Sequence, residues 1–102
     1  MNKYEVYISE NAMQDLSYLT VFIHDTLKSP LTAKRYSNGI VKEILSLKKY
    51  AGSIQISNRK SIQKYGYNSR AITYKKYTII YTINNDIVEV KRIVPGGTIS
   101  GI

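Results

Sequence analysis

Four basic residues in the second half of the chain are the best suited to chemistry. Arg70, Lys75, Lys76 and Arg92 lie on or beside predicted strands, where together they can surround a phosphate group. Cleavage of RNA at an internal phosphate uses cations to stabilise the pentavalent phosphate. It also needs a base for the 2′-hydroxyl proton and an acid for the leaving oxygen. If the protein is a nuclease, these four residues are its catalytic candidates.

A second basic group precedes them in the chain. Arg59, Lys60 and Lys64 stand near Tyr65 and Tyr67, and cations interleaved with aromatic rings can neutralise and stack on a nucleic acid. A solvated basic surface explains the same residues, and both interpretations stay open. The candidates for binding a nucleic acid or another target are Arg59, Lys60, Lys64, Arg70, Lys75 and Lys76.

The remaining titratable residues do not suggest a second centre. The chain has no cysteine, one histidine and seven carboxylates, which excludes a disulfide framework and a thiolate metal site and predicts no metal or other cofactor. His24 follows the apolar Ile23 far from the basic strands, and Asp15 has no second carboxylate placed to work with it. We interpret both as structural. Arg70 either binds phosphate or an acidic partner, or anchors the sheet by pairing with Asp15 or Glu43.

The charge of the chain favours an acidic partner. Its 102 residues are enough for one domain, and the net charge is +8 with an isoelectric point of about 9.7. Residues 1–52 carry seven Lys or Arg and five Asp or Glu, whereas residues 53–102 carry eight and two. Nucleic acid, an acidic protein or a membrane surface fits such a balance. No signal peptide or long apolar run is recognisable, so we expect a cytoplasmic location without membrane association.

The basic strands are organised around a predicted β-hairpin that spans residues 77–94. Both arms are rich in β-branched and aromatic residues, and Asn85-Asp86 supplies a two-residue turn. One face of this hairpin is almost wholly apolar and needs a cover. Arg92 lies on that face, so its guanidinium must be paired or must lie at the sheet end. The predicted cross-strand pairs are Ile83 with Val88, Tyr81 with Val90, Ile79 with Arg92 and Tyr77 with Val94.

Two amphipathic helices in the first half supply this cover. Residues 10–27 and residues 30–50 each carry apolar side chains at spacings of three and four, with Ser9 and Ser29 placed as N-caps. Only about three residues separate them, so they pack as an antiparallel hairpin. The stripe of the first helix is Ala12, Leu16, Leu19, Ile23 and Leu27, widened by Met13 and Phe22, and that of the second is Ala33, Tyr36, Ile40, Ile44 and Leu47.

The predicted order is a strand at residues 3–8, the helix pair, and three strands, of which the first spans residues 69–74. Residues 53–68 have no regular period. A strand at Ile54–Ile56 and a short helix capped by Ser57 are both open alternatives, and we treat the stretch as an exposed basic connection. The first strand is expected to pair with the last. The result is an α+β two-layer fold with an N-terminal strand, an antiparallel helix hairpin and a three-stranded antiparallel sheet. Residues 1–94 form a single domain, and residues 95–102 form a flexible tail.

This order of elements, with these residues, resembles the RelE/ParE superfamily of bacterial type II toxins. The resemblance depends on the order and spacing of the matching residues, because each helix or strand motif alone is common in other proteins. It implies a toxin that is neutralised by a cognate antitoxin, usually encoded beside it. The matching residues are the strand at 4–8 followed by Ser9, Ala12 and Asp15-Leu16, then Ala33, Tyr36, Ile40 and Leu47, then Arg70, and the strands at 77–81 and 86–93.

The resemblance implies one of two activities. RelE-like members cut mRNA in the ribosome with basic residues and a tyrosine, whereas ParE-like members inhibit DNA gyrase. RelE-like members typically hold one basic residue directly after the first aromatic of the central strand and others in a basic C-terminal segment. Here those places hold Thr78 and Pro95-Gly96-Gly97.

These departures favour a ParE-like inhibitor of gyrase or another topoisomerase over an enzyme. The expected partners are a cognate antitoxin and DNA gyrase. One alternative is a RelE-like, ribosome-dependent mRNA endoribonuclease, whose partners would be the ribosome and mRNA. A second alternative is a non-toxic interaction module with the same fold.

Overall fold

Two helices pack across one face of a four-stranded sheet in the computed structural model, which describes residues 3–96. A short 3₁₀ turn at Ala51–Ser53 and a short helix connect the helix pair to the later strands. The predicted α+β two-layer fold is confirmed. The elements are β1 (Glu5–Ile8), α1 (Glu10–Leu27), α2 (Pro30–Tyr50), α3 (Lys60–Gln63), β2 (Arg70–Tyr74), β3 (Tyr77–Asn84) and β4 (Ile87–Pro95).

Both long helices have the predicted bounds because their caps are built from the predicted residues. The Ser9 hydroxyl accepts a hydrogen bond from the Ala12 N–H (3.0 Å), and the Ser29 hydroxyl accepts one from the Thr32 N–H (3.2 Å). Each serine thus satisfies a backbone donor that has no partner inside the helix. Lys28 ends α1 in the left-handed conformation, with φ 54°.

The buried stripe of α1 is narrower than predicted. The prediction that Met13, Phe22 and Leu27 join the core is wrong, because at least half of the surface of each residue is exposed. α1 packs mainly on α2 and β4, so the flanks of its stripe have no cover. The buried stripe residues are Ala12, Leu19 and Ile23 on α1, and Ala33, Ile40, Ile44 and Leu47 on α2.

The sheet is mixed, with the strand order β1-β4-β3-β2. β1 runs parallel to β4, which confirms the predicted pairing of the first and last strands, and the other neighbours are antiparallel. Beyond the end of β1, residues at the start of α1 cover the edge of β4. The Ser9 hydroxyl donates to the Lys91 carbonyl (3.0 Å), and the Ile93 N–H donates to the Asp15 carboxylate (2.9 Å).

The half of the central hairpin nearest its turn has the predicted register. Ile83 pairs with Val88 and Tyr81 pairs with Val90. Asn85, the first residue of the turn, takes φ 58°, a backbone conformation that asparagine tolerates better than most residues.

A β-bulge shifts the register of the other half. Lys91 is an extra residue in β4, so Ile93 rather than Arg92 opposes Ile79, and Arg92 opposes Ile80. The predicted placement of Arg92 on the apolar face is therefore wrong, because Ile93 takes that position in the core. The predicted pair of Tyr77 with Val94 is wrong for the same reason, since Tyr77 pairs with Pro95 and Thr78 with Val94.

The outer face of the sheet has a small core of its own. Ile80 and Val94 are buried there against Ile62 of α3. The expectation that residues 53–68 are merely an exposed connection is therefore wrong. Apolar residues on this second face also need a cover, and α3 supplies it.

The last described residues continue the sheet. β4 runs to Pro95, and the Gly96 N–H donates to the Lys76 carbonyl (2.7 Å). The predicted flexible tail lies, from residue 97 onward, outside the described residues and stays a prediction, as does the domain boundary at residue 94. Within residues 3–96, no helix combines the length and the apolar character needed to cross a membrane.

Candidate functional site

Arg70 anchors the backbone that follows α2. Its Nη1 donates hydrogen bonds to the carbonyls of Ala51 (3.3 Å), Gly52 (3.2 Å) and Ile54 (2.8 Å). The Arg70 guanidinium thus donates hydrogen bonds to three carbonyl groups at the end of a helix, where carbonyl groups lack helical partners. The guanidinium has a structural role at this place.

Arg92 pairs with the carboxylate of Asp15 on α1. Its Nε lies 2.6 Å from Oδ2 and its Nη2 lies 3.0 Å from Oδ1. The same Oδ2 accepts the Ile93 N–H, so Asp15 fastens α1 to β4 through three hydrogen bonds. The hydrogen bonds that Arg92 donates to Asp15 raise the pKa of Arg92, although burial acts in the opposite direction. The predicted pairing of Arg70 with Asp15 or Glu43 is wrong, because Asp15 is engaged by Arg92 and Arg70 by carbonyl groups.

Tyr81 is fully buried and is not suited to acid–base chemistry near neutral pH. Its hydroxyl donates to the Ala51 carbonyl (2.9 Å). Burial raises the pKa of Tyr81 from 10.0 to about 12, with the positive charge of Arg70 opposing this shift and Tyr4 adding to it. The phenol therefore keeps its proton at neutral pH.

The two lysines of the β2–β3 turn stand beside a cluster of tyrosines. The Lys75 Nζ lies 5.4 Å from the ring centroid of Tyr36 and 5.7 Å from that of Tyr74, within the range of cation–π attraction. Tyr36 also meets Tyr77 edge to face, with centroids 5.7 Å apart. Burial and the neighbouring Tyr36 raise the pKa of Tyr77. Lys75 is thus packed on aromatic rings, while Lys76 lines a groove described below.

The four candidates for nuclease catalysis do not form one cluster. Arg70 is bound to the segment after α2, Arg92 is bound to α1, and Lys75 packs on tyrosines. Thr78, which occupies the place where RelE-like members hold a basic residue, is only 8% exposed. Among the described residues, these four cations therefore do not surround one open site that could hold a phosphate.

The predicted target-binding residues all fall in one stretch that lacks acidic residues. Residues 44–85 contain eight Lys or Arg and no Asp or Glu, whereas the rest of the chain carries seven of each. This stretch, which we call the acid-free segment, therefore accounts for the whole net charge. Six of its eight cations are the predicted residues: Arg59, Lys60 and Lys64 in and beside α3, Arg70 at the start of β2, and Lys75 and Lys76 in the turn. The other two, Lys48 and Lys49, lie at the end of α2.

Aromatic residues accompany the α3 cations, as the sequence indicated. The Lys64 Nζ lies 5.3 Å from the ring centroid of Tyr65, and Tyr67 is 87% exposed. His24, by contrast, is exposed on α1 with its Nδ1 3.2 Å from Asp25 Oδ1. No group of three His, Cys, Asp or Glu side chains suited to a metal ion occurs in residues 3–96.

An apolar groove along α1 is the feature that the sequence did not predict. One part, of about 260 Å³, lies between α1 and the end of β4, and the other, of about 460 Å³, reaches the β2–β3 turn. Phe22, Tyr77 and Pro95 line both parts, and Tyr18 and Phe22 are 68% and 62% exposed. We call the two parts together the α1 groove. The sequence feature that corresponds to this groove is the apolar stripe on α1, which is wider than the face of the helix that the rest of the protein covers.

Comparison with known proteins places the chain in a family. A family model described as the ParE toxin of the type II toxin-antitoxin system, parDE, matches residues 6–99. A solved structure described as the chromosomal ParDE TA system from P. aeruginosa is similar, with a TM-score of 0.74 and 15% sequence identity, over 91% of this chain and 96% of that chain. At this identity the likeness shows the fold. No curated protein matches the chain. Because the family model covers nearly the whole sequence, this chain belongs to the ParE toxin family of type II toxin–antitoxin systems.

Proposed function

We propose that this toxin inhibits DNA gyrase or a related topoisomerase by binding it, and that a cognate antitoxin neutralises it. The observation that carries the proposal is the commitment of both strand arginines to structural contacts. Arg70 holds the carbonyl groups after α2, and Arg92 holds Asp15. A ribonuclease needs free cations and an acid–base pair around one phosphate. Because two of the four candidate cations are engaged in structural contacts, they are not available for that role.

The acid-free segment supplies the surface for the target. Its cations on α3 and in the β2–β3 turn are predicted target-binding residues that lie outside the structural contacts of Arg70, and no carboxylate of the same segment offsets them. A positive electrostatic potential speeds association with an acidic surface and makes binding sensitive to salt. Inhibition of gyrase by this toxin should therefore weaken as the ionic strength rises.

The α1 groove supplies the surface for the antitoxin. Tyr18 and Phe22 are apolar, exposed and adjacent to a concave surface, which is the usual character of a protein-binding site. Lys76 lies at one end of the groove and Arg92 lines the other part. An antitoxin segment with apolar residues on one side and carboxylates beside them fits both the groove and its charged margins.

Substitution of Phe22 by glutamate tests the antitoxin site. The residue is exposed, so Phe22→Glu should leave folding intact while placing a charge where an apolar side chain must dock. Binding of the protein encoded beside the toxin gene should weaken roughly tenfold or more, as measured by titration calorimetry. Val21→Glu is the matched control, because Val21 is equally exposed on α1 but does not line the groove. Equal effects of the two variants would contradict the assignment.

A further inference from the structure

Residues 60–69, which contain α3, form a compact unit that is fixed on the outer face of the sheet. Ile62 is buried there, and Tyr65 packs partly buried against the same small core. The Asn68 Nδ2 donates to the Ile83 carbonyl (3.4 Å), and three backbone hydrogen bonds close successive turns after the helix. Side chains on the outward side of this unit are therefore presented from an ordered support.

Tyr67 is the most exposed large apolar side chain in the described part of the molecule, at 87%. The preceding Gly66 has φ 144°, a conformation that residues with a side chain rarely adopt, so the turn that directs Tyr67 outward depends on glycine. No other large apolar side chain is exposed between residues 57 and 86. Tyr67 therefore stands alone and is not part of an apolar patch.

Two exposed lysines accompany Tyr67. Lys60 and Lys64 are four residues apart at the two ends of α3, so they lie on one side of the helix. Within residues 3–96, neither lysine forms an ion pair, and the acid-free segment around them supplies no carboxylate. We call Lys60, Lys64 and Tyr67 together the α3 site.

The chemistry of the α3 site favours a nucleic acid over an acidic protein. Lysine is depleted from protein–protein interfaces, whose centres are apolar, and Tyr67 has no exposed apolar neighbour. An aromatic ring held beside cations instead suits a nucleotide, because the ring stacks on the base while the cations neutralise the phosphates. Lysine contacts phosphate as a point charge and a tyrosine ring stacks on any base, so binding should not depend on sequence.

We propose that the α3 site binds single-stranded DNA, with a base stacked on Tyr67 and phosphates at Lys60 and Lys64. A duplex fits less well, because its bases are already stacked on one another and do not offer a free face to the ring. The choice of DNA over RNA rests on the proposed function, since a topoisomerase acts on DNA strands. The binding itself does not require gyrase, and its test contains none.

The test follows the fluorescence anisotropy of a labelled twelve-nucleotide oligothymidylate during titration with the purified full-length toxin, free of antitoxin. The strand should bind saturably at low salt, and a duplex of the same length should bind more weakly. Affinity should fall as the salt concentration rises. Lys60→Ala and Lys64→Ala should each lower the slope of log affinity against log salt by about 0.7, the value for one phosphate contact on a single strand.

Variants of Tyr67 separate stacking from charge. Tyr67→Ala should weaken binding of the oligothymidylate about tenfold without changing the salt slope, whereas Tyr67→Phe keeps the ring and should bind as the wild type does. Tyr50→Ala is the matched control. Tyr50 is 57% exposed and follows Lys48-Lys49 in the same acid-free segment, but it lies at the end of α2, so its removal should not change the affinity.

Five results would overturn the proposal. They are the absence of saturable binding at low salt, an unchanged affinity of Tyr67→Ala, and an equal loss in Tyr50→Ala. The fourth is displacement of the labelled strand by an oligoglutamate as effectively as by unlabelled oligothymidylate, which would assign the surface to acidic proteins. The fifth is tighter binding of an oligouridylate, which would assign it to RNA. Failure to inhibit gyrase would be a separate result that refutes the proposed function, because none of these measurements includes the enzyme.

Discussion

At the scale of single residues, Asp15 links the first helix to the last strand. Its carboxylate is only 12% exposed and accepts hydrogen bonds from the Arg92 guanidinium and the Ile93 N–H. A buried carboxylate with several donors is stabilising while all its partners are present, and removal of the charge leaves those donors poorly satisfied. Asp15 therefore has a structural role, as its sequence context indicated.

Asp15→Asn should lower the free energy of unfolding by about 1 to 2 kcal/mol, because an amide cannot accept from all three donors equally well. Urea unfolding followed by circular dichroism measures the change. Asp25→Asn is the control, since the Asp25 carboxylate is exposed and pairs with the neighbouring His24. A loss of stability as large for Asp25→Asn as for Asp15→Asn would contradict this account.

The raised pKa of Tyr81 predicts a loss of stability at alkaline pH. The unfolded chain releases this phenol proton near pH 10.0, whereas the folded protein holds it to about pH 12. Above pH 10 the unfolded state therefore binds fewer protons, and the free energy of unfolding falls as the pH rises to 12, by about 2 to 3 kcal/mol. Unfolding by urea at a series of pH values measures this decline.

Tyr81→Phe separates this effect from other alkaline changes. The variant loses the hydrogen bond to Ala51, at a cost of about 1 kcal/mol at neutral pH, and its decline above pH 10 should be smaller than that of the wild type. Tyr77, whose pKa is also raised, accounts for part of the decline in the free energy of unfolding that remains in this variant. Tyr67→Phe is the control, because it removes an exposed phenol. An identical decline in the Tyr81→Phe variant would refute the assignment.

The partners of these residues were harder to predict than their roles. The sequence indicated that Arg92 needs a partner, but the bulge at Lys91 decides which way it faces. The trace of that bulge in the sequence is that the apolar alternation of Val88 and Val90 resumes at Ile93 and not at Arg92. Arg70 was expected to pair with a carboxylate. Its actual partners are backbone carbonyl groups, which every residue type carries and which no sequence pattern reveals.

At the scale of elements, α2 meets β2 through a close contact between Gly39 and Tyr74. A Cβ atom at Gly39 would overlap the phenol ring of Tyr74. Glycine in the middle of a helix costs about 1 kcal/mol relative to alanine, so the packing of the tyrosine ring is the physical reason for this residue. Tyr74 in turn packs against Tyr36 and Lys75.

Gly39→Ala should therefore have opposite effects in two backgrounds. In the wild type it should lower the free energy of unfolding by about 1 to 3 kcal/mol, because the ring must shift. In a Tyr74→Ala background it should raise that free energy by up to about 1 kcal/mol through helix propensity. A double-mutant cycle by urea unfolding measures both, and the same sign in both backgrounds would contradict the packing argument.

The helix pair and the four strands could be predicted from the sequence, whereas the short helix α3 was one of several alternatives for residues 53–68. α1 and α2 carry apolar residues through several turns and have serine caps, so pattern and caps agree on their bounds. α3 has four residues, too few for a helical period to show. The α1 groove escaped prediction because exposure depends on how much of the helix the sheet covers, which is a property of the assembled fold.

At the scale of the whole molecule, charge and apolar surface are separated. The acid-free segment holds the entire net charge, with cations on α2, α3, β2 and the β2–β3 turn. The α1 groove is mainly apolar, lies along α1 beside β4 and the β2–β3 turn, and meets the acid-free segment at Lys76. Two surfaces of different chemistry suit two different partners. Our account assigns the first to the target of the toxin and the second to its antitoxin.

The most direct test is a paired assay on the purified toxin free of antitoxin. One arm follows supercoiling of a plasmid by DNA gyrase, and the other follows cleavage of a defined mRNA on programmed ribosomes. The account predicts loss of supercoiling, weaker at high salt, with the mRNA intact. Cleavage of the mRNA with normal supercoiling would contradict it, and would mean that Arg70, Lys75, Lys76 and Arg92 leave their observed contacts to act on RNA.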